Sequence, residues 1–110
     1  MDDKTTTVTI EPGICGLPTR VTATYDEEEN IVTIDVHSAC EAVRGVTKEL
    51  GNQFDPYEVV LVKPGQDPIS QFAGKTFPGH ASCPTIAGIL KCIEVSAGLA
   101  LPKDVHIHFE

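Results

Sequence analysis

Cys83 stands at the mouth of a helix-patterned run, in His80-Ala81-Ser82-Cys83-Pro84 followed by Thr85–Ala97. Pro84 suits the first helical position, because its ring fixes a helical φ and its missing N–H costs nothing there. Cys83, or Ser82 just before it, then caps the helix. A thiol in that place meets free backbone N–H groups and the positive end of the helix dipole. Both favour thiolate, the form that binds metals and attacks disulfides. Cys40 repeats the setting: His37-Ser38-Ala39-Cys40 also places a histidine three residues ahead of a cysteine. Cys15 lies in Pro12-Gly13-Ile14-Cys15-Gly16-Leu17-Pro18, where two glycines and two prolines write a tight exposed connection. Three thiols from loops and helix starts are a donor set for zinc or for an iron–sulfur cluster, with His80 or His37 as the fourth ligand. Close Cys-x-x-Cys pairs are missing from the sequence, so such a site depends wholly on the fold.

Cys92 reads differently. It follows Cys83 by nine helical residues, two and a half turns, and so faces the other side of the helix. It is expected to be a small, half-buried residue on the flank of the apolar stripe. His106 and His108 form a rival constellation on an alternating C-terminal segment. With Asp35 and His37 on a neighbouring strand they would make a zinc or copper site, against the plainer reading of a solvated polar face. The sequence contains no catalytic triad, phosphate-binding glycine loop or metalloprotease motif.

The elements that must position these residues are legible in outline. Thr5–Glu11, Arg20–Tyr25 and Ile31–His37 alternate apolar and polar residues and read as strands. The second and third, joined by the acidic turn Asp26–Asn30, form an antiparallel hairpin. Ser38 reads as the N-cap of a helix Ala39–Leu50 that Gly51 closes. Asp55-Pro56 and Asp67-Pro68 each read as a cap plus a first helical residue. Tyr57–Val62 fits a short helix or a strand equally, and Ile69–Ala73 reads as a short helix. The last helix carries Ile86, Ile89, Leu90, Ile93 and Ala97 as its buried stripe, with Gly98 just past its end. Asp104–Glu110 alternates again, with Val105, Ile107 and Phe109 expected to face in as a final strand. The sum is an α+β domain spanning residues 1–110: a small, mainly antiparallel sheet of three N-terminal strands plus a C-terminal one, with two main helices on one face.

Composition sets the outer limits. Sixteen acids against eight bases give a formal charge of −8, which argues against nucleic acid and anionic membrane surfaces as partners. A protein partner or a homo-oligomer stays open. The first residues have no apolar stretch that would make a signal peptide, so a cytoplasmic location is the expectation. In that compartment four cysteines are expected to be thiols or metal ligands rather than disulfides.

The run Gly-Ile-Leu-Lys-x-Ile-Glu-Val-x-x-Gly-Leu-Ala-Leu-Pro-Lys-Asp-Val (Gly88 to Val105), behind Cys83-Pro84, resembles an uncharacterised family of small cysteine-containing proteins from anaerobic bacteria and archaea. Cys15-Gly16 and Cys40 match cysteines of that family, whose members typically read Cys-Pro-x-Pro where this chain has Ile86 in place of the second proline. Members often have alanine at the position of Cys92, which implies a packing role. The resemblance lends weight to the cysteines and implies no activity. The same helix start is similar, over a few residues, to the Cys-Pro-x-Pro motif of TusA-like sulfur carriers, which would make Cys83 a persulfide carrier.

Three readings follow. The first is a small zinc or iron–sulfur protein, structural or electron-transferring, built on Cys15, Cys40 and Cys83. The second is a sulfur-transfer or thiol-redox protein with Cys83 as nucleophile and Cys40 or Cys15 as resolving thiol. The third is a non-catalytic interaction module with packed cysteines.

Overall fold

The computed structural model describes residues 4–79 and 81–110. Its sheet is antiparallel, in the order β1 (Lys4–Ile10), β2 (Thr19–Asp26), β3 (Ile31–Ser38) and β4 (Gln53–Phe54). The β2–β3 hairpin pairs Val21 with Val36 and Tyr25 with Val32, so both apolar sets share one face. Its turn is held by Asp26, whose carboxylate accepts the N–H groups of Glu28 at 3.0 Å and Glu29 at 3.3 Å. Asn30 closes it at φ 55°, a left-handed conformation that asparagine tolerates.

Four helices follow: α1 (Glu41–Leu50), α2 (Pro56–Val60), α3 (Pro68–Thr76) and α4 (Pro84–Ser96). The architecture is α+β, with the helices covering the sheet face that carries Val21, Ala23, Val32 and Ile34. Those four pack against Val43 and Val46 of α1 and Ile89, Cys92 and Ile93 of α4, all nearly or fully buried. Each such side chain contributes about 1.5–3 kcal/mol by leaving water, which is what holds the helices to the sheet. The opposite face is polar: Thr7 bonds Thr22 at 3.1 Å and Thr5 bonds Thr24 at 3.4 Å across the strands.

α4 lies antiparallel along β1. Gly88 sits so close to Ile10 that a Cβ there would clash with the Ile10 side chain. One turn on, the Cys92 sulfur lies 3.3 Å from the carbonyl of Thr6. Gly98, at φ 76°, ends the helix as its sequence position implied.

Three expectations change. The fourth strand is the two-residue β4, and the segment 104–110 carries no strand. There Val105, Ile107 and Phe109 are 63%, 80% and 92% exposed. Alternation gives a segment a strand-like pattern, but only a partner edge makes it a strand. Next, Cys40 rather than Ser38 is the N-cap of α1. Ser38 still serves the turn, its hydroxyl accepting the Cys40 N–H at 3.0 Å. Finally, the ambiguous stretch 57–62 is helical only as far as Val60, in α2, where the Asp55 carboxylate accepts the Tyr57 N–H at 2.9 Å and nucleates the first turn.

Candidate functional site

The two short-to-medium helices α2 and α3 begin in the favoured way. Asp55 caps α2, and Asp67 caps α3 by accepting the Ser70 N–H at 2.8 Å; each is followed by proline. The other two helices do not. Cys40 caps α1 and Cys83 caps α4, and neither side chain makes a capping hydrogen bond. Cysteine is a poor substitute for Asp or Ser at this position, because a neutral thiol is a weak acceptor. The two longest helices therefore present N-terminal N–H groups that no cap side chain satisfies, and each does so beside a sulfur.

Cys15 reaches the same region through a separate loop. Gly13 and Gly16, at φ 99° and 66°, bracket a tight turn in which the Gly16 N–H donates to the Gly13 carbonyl at 2.9 Å. The turn holds Cys15 exposed at its corner. The end of the loop is latched to the start of α1, since the Ala39 N–H donates to the Pro18 carbonyl at 3.1 Å. That bond ties the loop of Cys15 to the residue just before Cys40.

The three cysteines line one cavity of about 210 Å3. Leu17, Val43 and Phe77 complete its wall, which is almost wholly apolar. All three thiols are free. Among the described residues no group of three or more His, Cys, Asp or Glu residues is placed to hold a metal ion. Cys83 also borders a second, larger cavity of about 360 Å3 between α2, α3 and α4, whose wall includes Val59, Ile86, Leu90 and the cationic Lys63 and Lys91.

Three of the four histidines, His37, His106 and His108, are not among the residues lining this cavity. His37 lies on the polar sheet face, 73% exposed, with its Nε2 3.0 Å from the Asp35 carboxylate. Strand parity puts it there: Val36 faces the helices, so its neighbour faces away. His106 and His108 are in the exposed C-terminal segment, so they do not join Asp35 and His37 on a common strand face. His80 lies outside the described residues.

Cys92 is more deeply placed than half-buried. It is fully buried between α4 and the sheet, 3.3 Å from the Thr6 carbonyl and 3.6 Å from that of Val21. Burial pushes its thiol up to about 11, partly offset by backbone hydrogen bonding from Ala23 and Val8. Its spacing was the available signal, three residues after Ile89 and adjacent to Ile93, within the stripe itself. The cavity walls Leu17 and Phe77 were not marked by the sequence; each sits beside a proline in a segment whose only pattern is a chain break.

Residues 6–109 match the model of a family of unknown function, DUF6951, and the chain belongs to that family. No curated protein and no solved structure matches it. No helix among the described residues is long and apolar enough to cross a membrane.

Proposed function

We propose that this member of DUF6951 binds an iron–sulfur cluster through Cys15, Cys40 and Cys83, in a structural or electron-transfer role. The observation that carries the reading is the convergence of three cysteines, remote in sequence, on one apolar cavity. Zinc held by the same thiols is the nearest variant. A mononuclear zinc site needs its sulfurs about 2.3 Å from one centre. A cluster's own sulfide spans the gap between thiolates, which suits cysteines that line one cavity without forming a single-ion group. The uncapped N-termini of α1 and α4 favour the negative charge that deprotonated cysteines bring. His80, three residues before Cys83, is the remaining candidate for a fourth donor.

The test is anaerobic purification, a visible spectrum, and iron, zinc and acid-labile sulfide per chain. Brown protein with iron and sulfide, lost in Cys15→Ser, Cys40→Ser and Cys83→Ser alike but kept in Cys92→Ala, supports the reading. Zinc without sulfide replaces the cluster by a single-ion site. Metal retained in all three serine variants overturns the ligand assignment.

A second reading has its own observation: Cys83 lines both cavities and so has space on either side. In that reading its thiolate attacks a partner disulfide and forms a mixed disulfide. Cys40 or Cys15 then displaces the partner, which leaves as a dithiol while the two protein thiols become a disulfide. Metal-free protein in which Cys83 is alkylated far faster than Cys15 and Cys40 would favour it.

A further inference from the structure

Two features of the molecule lack a partner, and they match. The first is the outer edge of β1, which ends the sheet; among the described residues no strand pairs with it. An open edge seven residues long, without proline, is a template for another strand. The second is the segment 104–110, also seven residues, in which Val105, Ile107 and Phe109 alternate with polar residues. Its apolar residues are exposed, as is Leu101 at 87%.

The two features also agree in charge and position. β1 carries no acid along residues 5–10, whereas the segment carries Asp104 and Glu110. The segment is rooted near the edge it fits. α4 runs antiparallel to β1, with Gly88 against Ile10 and Cys92 against Thr6, so it delivers the chain to the Lys4 end of β1. Only residues 97–103 separate the end of α4 from the donor segment, and in a two-fold dimer each copy would give its segment and receive its partner's.

We propose that residues 104–110 add as a strand to the open β1 edge of a second copy, making a strand-exchanged dimer. The added strand extends the apolar face already built by Val8 and Ile10, and places Val105, Ile107 and Phe109 under cover instead of in water. His106 and His108 then stand on the outer face beside the threonines of β1.

Sedimentation equilibrium over micromolar concentrations, with deuterium exchange of the β1 amides, tests this without reference to any metal. The expected result is a dimer whose β1 amides exchange slowly. In Ile107→Asp/Phe109→Asp the expected result is a monomer with unchanged far-ultraviolet circular dichroism and β1 amides at least about tenfold faster. Should that variant fail to fold, Phe109→Asp alone is expected to raise the dimer dissociation constant at least about tenfold, the effect of losing one buried aromatic anchor. A wild-type monomer, or a dimer that either variant leaves intact, overturns the proposal. A monomer with slow β1 amides would place the segment on its own edge and overturns it as well.

Discussion

Two helices of this protein start on aspartate and two start on cysteine, and only the aspartates cap their helices with side-chain hydrogen bonds. Asp55 and Asp67 close their helices with side-chain hydrogen bonds, each backed by a proline at the first helical position. Asp67 is 3% exposed and spends a carboxylate oxygen on the Ser70 N–H. Cys40 and Cys83 leave the same backbone groups unserved, on longer helices where a good cap would help just as much. Both face the cavity that Cys15 joins. A residue type that costs the fold a capping bond, placed twice at one cavity, is what the proposed cluster site would account for.

The largest effect that tests the contrast is loss of the bound group. Cys83→Ser and Cys40→Ser are expected to lower iron per chain at least about tenfold, since three donors act as one site and removing one leaves too few. The same serine variants are expected to make the metal-free protein more stable by about 1 kcal/mol, because serine caps a helix where cysteine does not. Urea titration of the apoprotein measures this. A serine variant that destabilises the apoprotein breaks the comparison, for it means the thiols were packed for stability.

Cys92 supplies the next largest effect. Burial favours its neutral thiol, lifting it from 9.0 to about 11 in the fold. The stabilisation is complete below the unfolded value and is lost as pH rises through the folded one. Between pH 9 and 11 the wild type should therefore lose about 2–3 kcal/mol that Cys92→Ala does not lose. Urea midpoints of the two proteins across that range give the difference. Equal slopes would mean that Cys92 ionises as freely as an exposed thiol.

Asp67→Ala should cost about 1 kcal/mol by removing the cap on α3, with no change in iron content. Iron loss in this variant would erase the distinction between the two kinds of cap. His37→Ala is the smallest: its pairing with Asp35 is on the surface, so a stability change under about 0.5 kcal/mol and unaltered iron are expected. Loss of iron there would return His37 to the site.

Much of this was written in local pattern. Alternation placed β1, β2 and β3, because a sheet with one buried face demands a period of two. Asp-Pro marked the starts of α2 and α3, Pro84 the start of α4 and Gly98 its end, because each meets a backbone need within one turn. The setting of Cys40 and Cys83 was equally local. The parity that turns His37 away was present too, in its position next to Val36, although His-x-x-Cys spacing drew attention toward it as a ligand.

Tertiary structure decided the rest, because contacts between distant segments leave no local trace. The union of Cys15, Cys40 and Cys83 requires the loop latched by Pro18 to Ala39 and the docking of α1 on β3 and of α4 on β1 and β2. The burial of Cys92 follows from which arc of α4 meets β1 and β2, and an apolar stripe fixes that arc only to within a residue or two. The segment 104–110 shows the limit most plainly. Its alternation is as clear as that of β1, yet a strand exists only where another edge accepts its hydrogen bonds, and among the described residues no edge does so.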